Sequence, residues 1–211
     1  MTTYQLSKPV LIMLAGFPGA GKSHFAKQLA DELGLAYVDG ERLRQELFSS
    51  PVGDSSENRV VRRVALYMTG ELLKAGGSVV VDISAPTVKS RQVLRSLARK
   101  YKAEALLIWV QTDASTAYKR SQRAYRKLTG QGLDKTEFKR VCQLLESPKG
   151  EAMVAISGQH IFKTQSAKVI QKLMLMGLIP QPVSAPQPIV RRSRPKLGGR
   201  IDYPRRRLRQ G

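Results

Sequence analysis

Eight residues near the start of the chain have the types and spacing of a phosphate-binding loop. In order they are Gly16, Phe17, Pro18, Gly19, Ala20, Gly21, Lys22 and Ser23. They fit the pattern G-x-x-x-x-G-K-[ST] at every fixed position, and small residues let consecutive backbone N–H groups surround phosphate oxygens. Lys22 is expected to reach the β- and γ-phosphates of a nucleotide, and the hydroxyl of Ser23 is expected to ligate Mg²⁺. The loop therefore predicts a nucleotide phosphate site.

The sequence on either side of this loop predicts the elements that such chemistry requires. Val10–Ala15 is a continuous apolar run, which is typical of a strand buried on both faces. Lys22–Leu33 has apolar residues at helical spacing, and the positive end of that helix would face the phosphates. His24, in the first turn, is included among the predicted nucleotide-binding residues. The chain lacks the N-K-x-D element that is typical of GTP-selective loops, so the expected nucleotide is ATP.

A second acidic group is expected near the phosphates. Asp82 ends the apolar segment SVVVD, which is predicted to be a strand. In open α/β sheets, ligands bind at the carboxyl ends of the strands. A carboxylate at this position can hold Mg²⁺ or orient the attacking group, so Asp82 is predicted to be a metal ligand and a catalytic residue.

The rest of the body alternates predicted strands with predicted helices. Strands are expected in the segments LAYVD, SVVVDIS, AEALLIWVQ and EAMVAISG. Parallel strands need crossover connections, so this pattern indicates an α/β fold with a mainly parallel, five-stranded sheet. One helix, over residues 57–75, is expected to bury Val60 and Met68. We expect one domain over residues 1–177, followed by a disordered, Pro- and Arg-rich basic tail over residues 178–211.

The composition constrains partners and location. The chain has 36 Lys and Arg residues against 16 acidic residues, a net charge of +20, of which residues 178–211 contribute +8. Such charge attracts polyanions, so a nucleic acid or another polyanion is a candidate partner of the tail. The single cysteine, the lack of an apolar leader and the short apolar runs predict a cytoplasmic protein without a transmembrane segment.

Four segments together resemble a known family. The loop GFPGAGKS is followed in order by YVDGERLRQEL, VVVDIS and DASTAYKRSQRAYRK. This order is similar to that of the zeta-toxin-like AAA-type P-loop kinases, which are related to gluconate, shikimate and polynucleotide kinases. The resemblance covers about residues 8–176. It implies a three-layer P-loop kinase fold and transfer of the ATP γ-phosphate to a hydroxyl group.

The family has a D-x-x-R element after the second strand, in which the acid is a candidate base and the arginine binds substrate. Two alignments are open in this chain. Glu41 with Arg44 keeps the spacing of the leucines but replaces the usual Asp with Glu. Asp39 with Arg42 keeps the Asp but shifts the leucines. We favour Glu41 and Arg44, because Leu43 and Leu47 then match the apolar positions of the family. A general base must reach the hydroxyl that it deprotonates, and the extra methylene of Glu changes that reach.

The resemblance also implies roles for residues further along the chain. Where the family often reads D-A-T-N, this sequence has Asp82-Ile83-Ser84-Ala85, and Ser84 and the later Arg91 are predicted to bind substrate. The helix after the fourth strand belongs to a lid. Its arginines recur every three residues and can share a face. They are Arg120, predicted to bind the nucleotide, and Arg123 and Arg126, predicted to stabilise the transferring phosphoryl group.

Two functions follow from these observations. The first is a kinase acting on a small-molecule or nucleic-acid acceptor, which would lie between the helices near residues 41–48 and 57–75. The second of these helices carries Arg59, Arg62 and Arg63, which would suit an anionic acceptor. The alternative is an ATP-dependent switch or accessory ATPase whose basic tail binds nucleic acid or another polyanion.

Overall fold

Residues 4–129 and 134–180 are described by a computed structural model, and the side chains of residues 127–129 are left aside. The described part contains five strands and seven helices. The strands are β1 Val10–Ala15, β2 Ala36–Asp39, β3 Val79–Asp82, β4 Glu104–Gln111 and β5 Met153–Ser157. The helices are α1 Lys22–Leu33, α2 Gly40–Leu47, α3 Ser55–Lys74, α4 Val88–Lys100, α5 Ala114–Thr129, α6 Lys135–Gln143 and α7 Phe162–Leu175.

The strands form one sheet in the order β2-β3-β1-β4-β5, and every neighbouring pair is parallel. The predicted five-stranded parallel sheet is confirmed. Strand β1 lies at the centre, and its successive side chains point to opposite faces. Ile12 and Leu14 belong to the apolar layer shared with α1 and α7, whereas Leu11 and Met13 belong to the layer shared with α3 and α4. Burial on both faces explains the uninterrupted apolar sequence of β1.

Several helices begin at residues whose side chains satisfy the free N–H groups of the first turn. Asp39 caps α2, Asp54 caps α3, and Thr87 forms a capping box with Ser90 at α4. The carboxylate of Asp113 accepts from the N–H of Thr116 at the start of α5. Caps of this kind fix where each helix leaves the sheet, and two of them lie beside the candidate site.

Helix α3 buries a narrower face than its apolar pattern indicates. Val60 and Met68 were expected to be buried, and both are exposed. The buried face runs through Val61, Ala65 and Thr69, which are spaced four residues apart and therefore stack on one side of the helix. The prediction for Val60 and Met68 is wrong because each lies one position away from that line.

The predicted domain boundary at residue 177 lies too early. Leu178 and Ile179 are buried in the apolar layer that contains α1 and α7. The carbonyl of Leu178 also accepts a hydrogen bond of 2.9 Å from the N–H of Ser7. The compact unit accordingly extends to residue 181, and the second unit, residues 182–211, holds the predicted tail and lies outside the described residues.

Candidate active site

The glycine-rich loop joins β1 to α1 and packs closely against two other elements. Gly19 has a φ of +75°, and a Cβ at this position would lie 2.1 Å from the carbonyl oxygen of Ala117 in α5. At Gly16 a Cβ would lie 2.4 Å from the carbonyl oxygen of Val110 in β4. Both positions therefore require glycine, because any side chain would push the loop away from α5 at Gly19 or from β4 at Gly16. These contacts fix the loop at the carboxyl end of β1.

The first turn of α1 is left open toward this loop. Gly21 is the N-cap of α1, and no side chain caps the helix. The unpaired N–H groups and the positive end of the helix dipole together form an anion site. This arrangement fits a nucleotide phosphate. The imidazole of His24 is exposed and contacts Gln28. His24 does not line the cavity that contains Lys22 and Ser23.

The ammonium group of Lys22 lies inside the loop. Its Nζ donates to the carbonyl oxygens of Gly16 and Phe17 at 3.0 and 2.9 Å. Burial lowers the pKa of Lys22 below 10.5, and the nearby carboxylate of Asp82 opposes this shift. These two carbonyl oxygens thus hold the ammonium group at the phosphate site. When a nucleotide binds, a phosphate oxygen would take their place as the acceptor.

Asp82 lies at the carboxyl end of β3, opposite Asp39 in the strand pairing. The hydroxyl of Tyr37 donates to its Oδ2 at 3.1 Å. Burial raises the pKa of Asp82 above 3.8, while the Ser23 hydroxyl and the Lys22 ammonium group oppose the shift. The residues predicted to ligate a metal, Ser23 and Asp82, therefore lie close together. Tyr37 was not predicted, because nothing in the sequence shows which strand β2 pairs with.

A cavity of about 480 Å³ connects the loop with the predicted acceptor region. It reaches from Lys22 and Ser23 to the first turn of α2 and to α3. The lining residues that the sequence had singled out are Gly16, Pro18, Lys22, Ser23, Asp39, Glu41, Arg44, Arg62, Asp82 and Ser84. The fold thus brings these residues, which come from four separate segments, to one edge of the sheet.

Arg44 is held in this cavity by an acidic clamp. Its guanidinium group donates to Glu57 at 3.0 Å, to Asn58 at 2.6 Å and, more weakly, to Glu41 at 3.4 Å. Glu57 is buried and also accepts from the N–H groups of Val52 and Gly53, which holds the preceding loop against α3. The clamp pairs the charge of Arg44 while leaving the side chain at the cavity wall.

The structure combines parts of the two predicted alignments. Asp39 and Glu41 both line the cavity, and so does Arg44, but Arg42 does not. The side chain of Arg42 is 78% exposed and pairs with Glu46 on the outer face of α2. The prediction that Arg42 binds substrate is corrected, because the helix turns its side chain away from the cavity.

Two further arginines have structural partners on the loop that begins at Ser84. Arg62 lines the cavity and donates to the carbonyl oxygens of Ser84 and Ser90 at 3.0 and 3.2 Å. Arg91 is fully buried and pairs with Glu151 at 2.6 Å. Each nitrogen of its guanidinium group is engaged, and the other acceptors are the carbonyl oxygens of Ala85, Pro86 and Glu146. The prediction that Arg91 binds substrate is therefore corrected to a structural role.

The three arginines of α5 do not act together. Arg120 donates to the carbonyl oxygen of Gly158 at 2.9 Å, which places it beside the phosphate loop, since Gly158 packs against Ala20. Arg123 and Arg126 instead line a separate surface cavity. Neither residue lines the cavity that holds Lys22 and Asp82, so the structure does not bring them to the predicted site of the transferring phosphoryl group. The segment TGQG, residues 129–132, has the glycines that a hinge for the predicted lid would need, and apart from Thr129 it lies outside the described residues.

A third cavity lies on the other side of the loop. It has a volume of about 560 Å³ and is lined by Phe17, Trp109 and Thr112 among others. The amide of Gln159 donates to Asp113 at its rim. This cavity adjoins the phosphate loop through Gly16 and Phe17, so it offers room for the base and sugar of a nucleotide. The sequence predicted Phe17 in the site but had no signal for Trp109 or Gln159.

The parallel sheet and the phosphate loop define a nucleotide-binding P-loop protein with the fold of the P-loop kinases. The model of the AAA domain family matches residues 11–148, and the chain belongs to this family of P-loop kinase domains. The kinase resemblance noted in the sequence is confirmed. No helix within residues 4–129 and 134–180 has the length and apolar character needed to cross a membrane.

Curated relatives and solved structures agree with this family. A sulfate adenylyltransferase of Phaeosphaeria nodorum is 30% identical over 178 residues, which are 81% of this chain but only 30% of that protein. A probable adenylyl-sulfate kinase of Aeropyrum pernix is 25% identical, with 73% of this chain and 87% of that protein covered. The Mycobacterium tuberculosis APS kinase in complex with AMPPNP and APS superposes with a TM-score of 0.61 at 18% identity, covering 79% of this chain and 98% of that one.

Proposed function

We propose that the chain is an ATP-dependent kinase that transfers the γ-phosphate to a hydroxyl group of an anionic small molecule. The observation that carries this proposal is a single cavity, lined by Lys22 and Asp82 on the donor side and by Arg44 and Arg62 on α2 and α3. The phosphate loop binds the donor, and guanidinium groups recognise carboxylate, sulfate and phosphate groups. The relatives with kinase names support the reaction class.

The donor end has a role for each polar group. Lys22 stabilises negative charge on the transferring phosphoryl group, and the N–H groups of the first turn of α1 bind the remaining phosphate oxygens. Ser23 and Asp82 would hold Mg²⁺, because hydroxyl and carboxylate oxygens are the ligands that this ion prefers. When bound, the ion neutralises charge on the β- and γ-phosphate oxygens. Tyr37 holds the carboxylate of Asp82 in one orientation.

The acceptor end offers two acids for proton removal. Asp39 already uses Oδ1 to cap α2, where it accepts from the N–H groups of Glu41 and Arg42. Glu41 is half-exposed and lies within 3.4 Å of Arg44. Asp39→Asn and Glu41→Gln remove the basic oxygen with little change in shape. The general base is the residue whose substitution lowers kcat with an unchanged KM for the acceptor.

The proposal is tested by ADP release in the presence of ATP, Mg²⁺ and a panel of acceptors. The panel contains adenylyl sulfate, because relatives carry that name, together with sugar acids, nucleosides and oligonucleotide ends. We expect ADP release to depend on one acceptor class. Acceptor-independent turnover that nucleic acid stimulates would contradict the proposal in favour of an accessory ATPase.

Arg44 and Arg42 provide a matched pair for the acceptor site. They lie on the same helix, two residues apart, but only Arg44 lines the cavity. Arg44→Ala is expected to raise the KM for the acceptor at least tenfold, because a charge-assisted hydrogen bond contributes about 1.5–3 kcal/mol. Arg42→Ala is expected to change it less than twofold. Equal effects of the two substitutions would show that the acceptor binds elsewhere.

A further inference from the structure

The outer face of α5 carries an uncompensated group of positive charges. Lys119, Arg123 and Arg126, together with the amide of Gln122, line one surface cavity of about 480 Å³. We call these four residues the α5 cluster. They are spaced three or four residues apart and form a stripe along about two turns of helix. Ala117 and Ser121, on the opposite side of the helix, are buried, so the stripe faces away from the core.

Some exposed cations of the described helices have an acidic partner on the same helix, and the cations of the α5 cluster have none. Arg42, Lys74 and Arg140 each pair with a glutamate three or four residues away. The sequence of α5, residues 114–129, contains no Asp or Glu, and no ion pair joins Lys119, Arg123 or Arg126 to any residue within 4–129 or 134–180. Like charges at these spacings destabilise a helix. A bound anion would relieve that repulsion.

The cluster is separate from the proposed kinase site. None of its residues lines the cavity that holds Lys22 and Asp82, and Arg120 is turned toward Gly158 instead. Its ligand is therefore not the nucleotide bound at the phosphate loop. The cluster is linear and open to solvent, and its lining side chains all end in charged or amide groups, which suits a chain of phosphates rather than one enclosed small anion.

The geometry points to the phosphate backbone of a nucleic acid as the ligand of the α5 cluster. Three cationic side chains over about two turns of helix can follow a repeating anion, and Arg and Lys are among the side chains that contact phosphate in protein–nucleic acid complexes. An anionic membrane fits the surface less well, because a membrane-bound helix inserts its apolar face, and the apolar face of α5 is packed inside the protein. The net charge of +20 adds long-range attraction but does not place the ligand.

The test measures binding of a fluorescein-labelled single-stranded 20-mer, as RNA and as DNA, to the full chain. The triple substitution Lys119→Gln, Arg123→Gln and Arg126→Gln keeps long side chains and removes three charges. The matched control is Lys89→Gln, Arg99→Gln and Lys100→Gln, which removes three charges from exposed positions of α4. Both variants keep residues 181–211, so the tail is present in each measurement.

We expect the α5 variant to weaken binding roughly tenfold or more at 0.1 M salt, and the control variant to weaken it less than threefold. The slope of log K against log salt should fall by about 2, since each phosphate contact to a single strand contributes about 0.7. Binding of either RNA or DNA supports the proposal. Equal losses in both variants, or no loss in either, would overturn it.

Two further measurements exclude other roles of the cluster. Binding of a fluorescent ATP analogue should be the same in the α5 variant and the parent. Loss of ATP binding with unchanged oligonucleotide binding would assign the cluster to the nucleotide and overturn the proposal. Stronger loss of binding to phosphatidylserine vesicles than to the 20-mers would assign it to a membrane surface. Kinase activity plays no part in these readouts, so they stand or fall independently of the proposed reaction.

Discussion

The hydroxyl of Tyr37 donates a hydrogen bond of 3.1 Å to Asp82 on the neighbouring strand. Burial and the carboxylate of Asp82 raise the pKa of Tyr37 well above 10, so the phenol remains a neutral donor. The bond orients a carboxylate that is itself costly to keep charged, since its pKa is raised by burial. Tyr37 therefore holds the proposed metal ligand Asp82 in place, and keeping this buried carboxylate charged lowers the stability of the folded protein.

Substitution of Asp82 by Asn should stabilise the fold at neutral pH while abolishing Mg²⁺-dependent turnover. Burial raises the pKa of Asp82 in the folded protein above the value that it has in the unfolded chain. The folded state therefore binds the proton more tightly, and the wild-type protein loses stability as the pH rises from the unfolded pKa to the folded pKa. Denaturant unfolding of both proteins from pH 3 to pH 8 measures the difference. A stability gain that is the same at pH 3 and pH 8 would contradict the assignment.

Substitution of Lys22 by Ala should weaken nucleotide binding at least tenfold. The substitution removes the charge-assisted hydrogen bond to the phosphates, which contributes about 1.5–3 kcal/mol to the free energy of binding. Titration with a fluorescent ATP analogue provides the measurement. Lys27→Ala, at an exposed position of the same helix, is the control and should bind as the parent does. Equal affinity of the Lys22 variant and the parent would show that the loop is not the phosphate site.

Substitution of Arg91 by Met should destabilise the protein by about 3–5 kcal/mol. Removing one partner of a buried ion pair leaves the other charge poorly compensated. Here the remaining charge is that of Glu151, which would keep only its ion pair with Arg95. Arg99→Met, at an exposed position of the same helix, should change stability by less than about 0.5 kcal/mol. Thermal and denaturant unfolding measure both. If the Arg91 variant retained full stability but lost acceptor binding, Arg91 would be a substrate residue after all.

Two truncations should separate the core from the basic tail. A chain ending at Pro180 is expected to unfold at the temperature of the full protein. A chain ending at Gly177 loses Leu178 and Ile179, whose burial contributes about 1.5–3 kcal/mol each, and should melt at a clearly lower temperature. Calorimetry on the two chains decides the point. Identical melting temperatures would show that the buried pair adds nothing to the core.

Local signals predicted most of the elements and the donor end of the site. The loop residues Gly16–Ser23 are contiguous, so their chemistry can be recognised from types and spacing alone. Strand β1 and helix α1 follow from apolar periodicity, and the parallel sheet follows from the alternation of strands and helices. Asp82 was found because a polar residue that ends an apolar strand must lie at the sheet edge.

Which residues line the acceptor end of the site could not be predicted from the sequence, because it depends on the direction in which individual side chains point. Arg42 and Arg44 have the same charge and lie on one helix, yet only Arg44 faces the cavity. Arg91 has the spacing of a substrate residue, but Glu151, sixty residues later, takes its guanidinium group. Spacing along a helix predicts which residues share a face and says nothing about what that face contacts.

The sequence by itself determined the phosphate loop, the class of fold and the position of Asp82, because each depends on residues that are neighbours in the chain. Only the tertiary structure decided that Tyr37 donates to Asp82, that Arg91 pairs with Glu151, and that Arg123 and Arg126 line a cavity separate from the one that holds Lys22. These relationships join residues that are distant in sequence. They depend on strand order and helix rotation, which packing of the whole core determines.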